Sequence, residues 1–314
     1  MSKKIKAGVV GVGHMGREHA RLYSQLDNVE FMGVYDIDPE VARRISTQHS
    51  RKPFSSIGDL ANACEAVSIA TPTVSHFELG EFFLRQGKHV LMEKPITNSP
   101  TEAKQLVEMA HANNAILQVG HIERFNPALH ALETVLTRPK FIESHRLSPY
   151  PGRSTDIGVV LDMMIHDLEI ILHLVNSPIE TMDSVGVAVL SKGEDIANTR
   201  LRFANGCVAN ITCSRISPDK LRKIRIFQDD TYISLDYQNQ GGEIYRKVKS
   251  QITRESITVE KDEPLKLELR SFIDCVGAQG NPVVGGSQAA LALDVAMQIT
   301  EQIWANTAKW TESE

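Results

Sequence analysis

The stretch Ile5-Lys6-Ala7-Gly8-Val9-Val10-Gly11-Val12-Gly13-His14-Met15-Gly16 decides the fold of this chain. Its first half reads as a short buried strand, and the glycine pattern opens an amphipathic segment at about residues 14–26. Gly11 permits a tight turn, Gly13 removes the side chain that would block a pyrophosphate, and Gly16 lets helix and strand pack closely. The new helix offers unpaired N–H groups and a favourable dipole to phosphate. Such glycines also serve ordinary turns, so the context matters. Asp36 closes the next apolar run, Val29–Tyr35, twenty residues after Gly16, near the spacing of an acid that binds ribose hydroxyls. Its carboxylate repels a 2′-phosphate. The pattern therefore predicts a Rossmann domain that binds NAD in preference to NADP, with Gly11, Gly13, His14, Met15, Gly16 and Asp36 on the cofactor. Arg43 and Arg44 fall on a solvated helix face.

Nearly continuous apolar runs recur at 66–70, His89–Met92 and 115–119, with amphipathic segments at about 39–49, 75–86 and 100–113 between them. Ser99-Pro100 marks one helix start. Strands buried on both faces and alternating with helices predict a doubly wound parallel sheet over residues 1–120. Beyond 120 a helix at about 157–175 precedes alternating or β-branched runs at 183–190, 197–204, 207–216, 222–228, 231–237, 243–248 and 252–259. Asn205-Gly206, Asp229-Asp230 and Gly241-Gly242 are turn signals. Helices at about 265–279 and 287–307 close the chain. Residues 121–314 thus read as an α+β domain with a largely antiparallel sheet, so the whole chain is α/β. So few helices leave one sheet face open, and a second copy is the simplest cover, giving a homodimer or homotetramer.

Length and composition agree. A chain of 314 residues with 42% hydrophobic and 23% charged residues suits about two globular domains. A net charge of −5 excludes a general nucleic-acid or anionic-membrane footprint. No stretch approaches the ~18–20 apolar residues of a membrane span, and the first apolar run is too short for a signal-peptide core. The four cysteines, Cys64, Cys207, Cys213 and Cys275, contain no C-x-x-C pair. Reduced thiols in a cytoplasmic protein are expected.

Two further motifs bear on chemistry. Glu93-Lys94-Pro95 follows the strand His89–Met92, at the carboxyl edge where open α/β sheets bind ligands. Asp162 and His166 stand four apart on a mostly apolar helix, about 40° apart around its axis, so they share a face. They form either a satisfied buried pair or an acid/base device. His173, seven residues beyond His166 on the same face, is read as a core histidine and not, with Glu169, as a metal site.

A Rossmann start, then Glu93-Lys94-Pro95, then Asp-x-x-x-His on the first helix of an α+β second domain, strongly resembles the Gfo/Idh/MocA oxidoreductases over essentially the whole chain. The resemblance implies NAD-dependent oxidation of a sugar or polyol hydroxyl, with Lys94, Asp162 and His166 as the catalytic group. It implies that Thr71, Pro72 and Glu93 line the cofactor crevice and that a cis peptide precedes Pro95. One departure is visible: Met164 stands two residues before His166, where members of the family often have Gly.

The segments His121-Ile122-Glu123-Arg124-Phe125-Asn126-Pro127 and Arg146-Leu147-Ser148-Pro149-Tyr150-Pro151-Gly152-Arg153 resemble those of family members acting on nucleotide sugars. That implies oxidation at C3 of a UDP-N-acetylamino sugar. Arg124, Arg146 and Arg153 offer forked donors suited to a diphosphate, and Asn126 and Tyr150 suit sugar or base edges. The competing reading makes Arg124 a structural ion pair and Arg153 a loop residue. Inositol, another polyol or a free sugar is the alternative substrate, and an NAD(H)-binding sensor without turnover is the alternative from another class.

Overall fold

The computed structural model describes residues 3–150 and 157–311, the last five as backbone only. The chain divides into two units, Met1–Ile122 with Glu263–Ala290, and Glu123–Asp262 with Leu291–Glu314. The expected second domain, 121–314, therefore loses an internal segment to the first. The reason is packing. Helix α8 (Pro264–Ala278), numbered by its place in the chain, turns Leu265, Leu269, Phe272, Ile273 and Val276 into the first unit's core.

The first unit is a parallel sheet with helices between its strands. The strands are β1 (Ile5–Val10), β2 (Val29–Tyr35), β3 (Ala66–Ile69), β4 (His89–Met92) and β5 (Leu117–Val119), in the order β2-β1-β3-β4-β5. The chain passes from β1 outward to β2 and then returns to β3 on β1's other side. That reversal makes the carboxyl ends of β1 and β3 the ligand-binding switch point. Helices α1 (His14–Tyr23), α2 (Pro39–Gln48), α3 (Ile57–Ala63), α4 (His76–Leu84) and α5 (Pro100–Ala112) connect the strands. Asp38 caps α2 by accepting the Glu40 and Val41 N–H groups, and Ser56 caps α3.

The second unit is built on an eight-stranded sheet, β13-β12-β11-β10-β6-β9-β8-β7. In chain order the strands are β6 (Phe141–Leu147), β7 (Ile179–Val187), β8 (Ile196–Phe203), β9 (Val208–Ser214), β10 (Leu221–Gln228), β11 (Thr231–Asp236), β12 (Gly241–Val248) and β13 (Gln251–Ile257). Every pairing is antiparallel except β6 with β9. Helix α6 (Pro127–Glu133) precedes β6, and α7 (Ile165–Val175) packs on one sheet face. The core there is Ile142, Leu201, Phe203, Ile211, Ile224, Ile226, Ile233 and Leu235 against Val160, Met164, Leu168 and Ile171. Helix α9 (Gly286–Thr311) starts in the first unit, and Ala292, Val295, Ala296, Ile299 and Ile303 join this core.

Strand β6, central in the sheet, has no counterpart among the sequence-predicted strands. Its inward residues are Ile142, Ser144 and Arg146, two of them polar, so its apolar alternation is broken. Ion pairing, not hydrophobicity, satisfies that face. The Gly241-Gly242 turn is also corrected: these residues begin β12. A Cβ on Gly242 would lie 2.4 Å from the Ser234 carbonyl oxygen, so glycine here serves a close strand approach. The Asn205-Gly206 turn joins β8 to β9, with Gly206 at φ +86°.

Candidate active site

The glycine turn between β1 and α1 divides its work among three positions. Gly11 has φ +78°, and a Cβ there would meet the Thr71 side chain at 2.6 Å. A Cβ on Gly16 would lie 1.9 Å from the Gly11 carbonyl oxygen, so only glycine lets α1 pack on the turn. A Cβ on Gly13 would meet nothing within 4 Å. This open, exposed backbone is the cradle that a pyrophosphate needs.

Asp36 braces that turn. One carboxylate oxygen accepts the Val12 N–H at 2.7 Å and the other the Asp38 N–H at 2.9 Å. Beside the turn lies a concavity of about 520 Å³ lined by Val12, Gly13, His14, Arg17, Val41, Arg44, Ile45 and Gln48. Arg43 pairs with Glu40 on the solvated side, as its sequence reading has it. Arg44 lines the concavity instead, because α2 turns that face toward the glycine turn. His14 is exposed, with its Nδ1 3.0 Å from Arg17 Nη2, and Met15 is half-buried. Ile37 and Val74, past the ends of β2 and β3, are left 92% and 79% exposed. Apolar faces at that edge suit a flat base, and the sequence reading missed both.

Glu93-Lys94-Pro95 follows β4 at the same edge, and the Lys94–Pro95 peptide is cis. The Glu93 carboxylate turns inward. It lies 3.0 Å from His19 Nε2 on α1 and accepts the Lys94 N–H at 3.3 Å. Burial opposes its ionisation, but the bond and charge of His19, with Lys94 adding, hold it below the ordinary carboxylate value. Fully buried Glu268 on α8 is pushed well above that value by burial and by the Glu93 charge. His76, buried on α4, lies 2.9 Å from both the Pro95 and the Thr71 carbonyl oxygens and so ties the two turns together. Burial holds its imidazole below the ordinary value. Thr71 also accepts from the Ser75 hydroxyl, and Pro72 is exposed. Lys94 is half-buried.

The sequence reading missed His19 and Glu268, whose signal is a polar residue on an otherwise buried helix face. His19 stands among the buried residues of α1, and Glu268 breaks the stripe Leu265, Leu269, Phe272 on α8.

In the second unit, Asp162 and His166 do not share a regular α-helix. A π turn spans Val160–Met164, with the Ile165 N–H reaching the Val160 carbonyl five residues back, and α7 follows. Such turns insert one residue and are frequent at functional sites. Both side chains are half-buried.

Buried ion pairs anchor this helix. Asp167 accepts from Arg146 Nε at 2.5 Å and from the Ser144 hydroxyl at 2.8 Å. Arg146 also donates to Glu123 at 2.9 Å. Glu169 accepts from Arg124 at 2.8 Å, and burial pushes its carboxyl up to about 7 despite that partner.

The residues proposed to meet substrate thus fare differently. Arg124 and Arg146 are buried in ion pairs. Asn126 is buried, capping α6 through the Ala128 N–H and donating to the Tyr237 carbonyl. Tyr150 is 38% exposed. Arg153 lies outside the described residues.

A family model described as the oxidoreductase family with an NAD-binding Rossmann fold matches residues 5–121, and the model of that family's C-terminal domain matches 132–234. The chain belongs to the Gfo/Idh/MocA oxidoreductases. It is 33% identical over 302 residues to UDP-N-acetylglucosamine 3-dehydrogenase of Acidithiobacillus ferrooxidans, covering 94% of this chain and 96% of that protein. A solved structure of the Acidithiobacillus protein superposes with a TM-score of 0.92 over 96% of this chain and 98% of that one, at 34% identity. The scyllo-inositol 2-dehydrogenase (NAD(+)) of Bacillus subtilis is 24% identical, covering 96% of this chain and 94% of that protein. Membership identifies the first unit as an NAD-binding Rossmann domain. Among the described residues no helix is long and apolar enough to cross a membrane.

Proposed function

We propose that this Gfo/Idh/MocA protein is an NAD-dependent dehydrogenase that oxidises the C3 hydroxyl of a UDP-N-acetylamino sugar to a ketone. The carrying observation is 33% identity, sustained over 94% of the chain, to a UDP-N-acetylglucosamine 3-dehydrogenase. The residues present fit the dinucleotide. The open backbone at Gly13 and the first turn of α1 suit the pyrophosphate, Asp36 the ribose hydroxyls, and Thr71 and Pro72 the nicotinamide end of the crevice. When bound, the nicotinamide supplies the hydride acceptor.

His166 accepts the hydroxyl proton, a task suited to an imidazole near neutral pH. Asp162 orients that imidazole. Lys94 donates to the reacting oxygen and stabilises its alkoxide character. Its turn is held by Glu93 and His76, so Glu93 serves the cofactor site through Lys94. Arg124 and Asn126 act in support: Arg124 fixes α7 through Glu169, and Asn126 starts α6. Tyr150 and Arg153 remain the residues assigned to substrate.

We assign the protein to the cytoplasm and to a homodimer or homotetramer. The four cysteines are thiols. The sheet face opposite α7 carries a row of stacked rings, Phe141, Phe227, Tyr232 and Tyr245, with neighbouring centroids 4.8–5.6 Å apart. Val185 and Val187 stand exposed on β7. Such a face suits a second copy, and light scattering of the purified protein tests this.

The functional test follows NADH formation with UDP-N-acetylglucosamine, with UDP-free N-acetylglucosamine and with myo-inositol. Turnover of the UDP sugar alone, lost in Lys94→Ala and His166→Ala, is the expected outcome. Reduction of NAD by inositol with indifference to UDP would replace the nucleotide-sugar reading. NADH binding without turnover of any of them would favour the sensor.

A further inference from the structure

The helix that carries Asp162 and His166 enters through a clasp formed by residues from elsewhere in the second unit. The Val159 N–H donates to the Glu194 carbonyl at 2.8 Å, and the Val160 N–H donates to Glu194 Oε1 at 3.2 Å. First-turn N–H groups have no partner within their own helix, so one residue satisfies two of them. Glu194 is 1% exposed, and its carboxylate lies flat on Gly158. A Cβ at Gly158 would fall 1.9 Å from Oε1 and 2.2 Å from Cδ. A Cβ at Gly193 would fall 2.9 Å from the Gly158 Cα, so the close backbone approach requires glycine at 193, as the Glu194 side chain does at 158.

The next residue continues the support. Asp195 accepts the N–H groups of Val189, Leu190 and Ser191 at 2.8, 2.6 and 3.0 Å, and pairs with Arg215 Nε at 2.8 Å. Arg215 Nη1 donates to the carbonyl of Ile157 at 2.8 Å. Positions 157 to 160 are thereby each fixed from outside the helix.

Immediately beyond lies the π turn that contains Asp162. Its extra residue persists only where the surroundings hold it. If it relaxed to an α turn, every residue before it would rotate about 100° against those after it. Asp162 would turn by about that angle relative to His166, away from the placement that the π turn gives it.

We propose that Glu194 is a positioning residue: its clasp on Gly158, Val159 and Val160 holds the π turn and so sets the register between Asp162 and His166. This rests on the roles proposed for those two side chains. It assigns work to a buried acid with no part in proton transfer, and it explains why Gly158 stands where it does.

The test uses the full chain with NAD and UDP-N-acetylglucosamine. Glu194→Ala is expected to lower kcat about 10–100-fold, the scale of a small misplacement of catalytic groups, with the Kd for NADH unchanged. Glu194→Gln keeps a neutral acceptor for the Val160 N–H and should hold kcat within about fivefold of wild type. Gly158→Ala expels the carboxylate, so it should reproduce the Glu194→Ala loss, and the double variant should be no worse than either. The pH profile of kcat should shift in Glu194→Ala, which a general loss of stability would not produce. Wild-type kcat in Glu194→Ala, equal losses in the Gln and Ala variants, or additive losses in the double variant would each overturn the proposal. His166→Ala, measured alongside, separates the two readings. An inactive His166→Ala beside a fully active Glu194→Ala rejects the clasp alone, and a fully active His166→Ala rejects both.

Discussion

Replacing Glu268 by Gln should flatten the dependence of stability on pH. Glu268 is fully buried, and neither carboxyl oxygen has a hydrogen-bond partner. Burial and the Glu93 charge lift it well above the ordinary value of 4.5. The folded protein therefore keeps a proton that the unfolded chain releases near 4.5. Because the native state binds more protons, stability falls as pH rises through that window, by about 1.4 kcal/mol per pH unit. Across that window the wild type should therefore lose stability relative to Glu268→Gln, at a limiting slope of about 1.4 kcal/mol for each pH unit. That opens a gap between thermal midpoints of roughly 3–6 °C per pH unit of the window in a chain of a few hundred residues. Circular dichroism melts of both proteins without NADH, in matched buffers, measure it. Gln mimics the neutral acid, so the midpoints should nearly coincide at the acidic end. Parallel curves would show that residue 268 retains no extra proton, and a variant that falls behind as pH rises would show an ionised, stabilising Glu268.

Other perturbations follow from the same geometry. Gly13→Ala has open space and should fold normally yet bind NADH at least about tenfold more weakly, read by fluorescence titration, because its methyl stands where the pyrophosphate approaches. Gly16→Ala drives a Cβ onto the Gly11 carbonyl and should cost about 1–3 kcal/mol or more in urea unfolding, as overpacking does. Asp36→Ala removes the charge that repels a 2′-phosphate, with Arg44 already lining the adjacent concavity. The ratio of kcat/KM for NADP to that for NAD should rise at least about tenfold. Arg146→Met strands the buried carboxylate of Asp167 and leaves Glu123 with only half-buried Arg222 as its charged partner, and should cost about 3–5 kcal/mol in the same unfolding assay.

The local patterns were the legible ones. A glycine turn, an acid at a fixed spacing and runs of apolar residues read out the Rossmann unit strand by strand, since each depends on neighbours close in sequence. Strand β6 was not legible, because Arg146 and Ser144 face inward and are satisfied by Asp167, twenty-one and twenty-three residues away. Helix α8 was legible as a helix, but its allegiance to the first unit was not, since any apolar stripe suits either core. At the site, Lys94 and the Asp162 and His166 spacing stood out, whereas the partners that brace them did not.

The sequence by itself determined that this chain opens with a Rossmann glycine turn, sets Lys94 just past β4 and places Asp162 four residues before His166, because those signals are short-range. Only the tertiary structure decided how those groups are held. It turned Glu93 onto His19, committed Arg124 and Arg146 to buried carboxylates, and set Asp162 in a π turn clasped by Glu194. The physical reason is that a buried charge or an unpartnered N–H must find its complement somewhere. No spacing along the chain names the residue, often dozens of positions away, that folding brings to meet it.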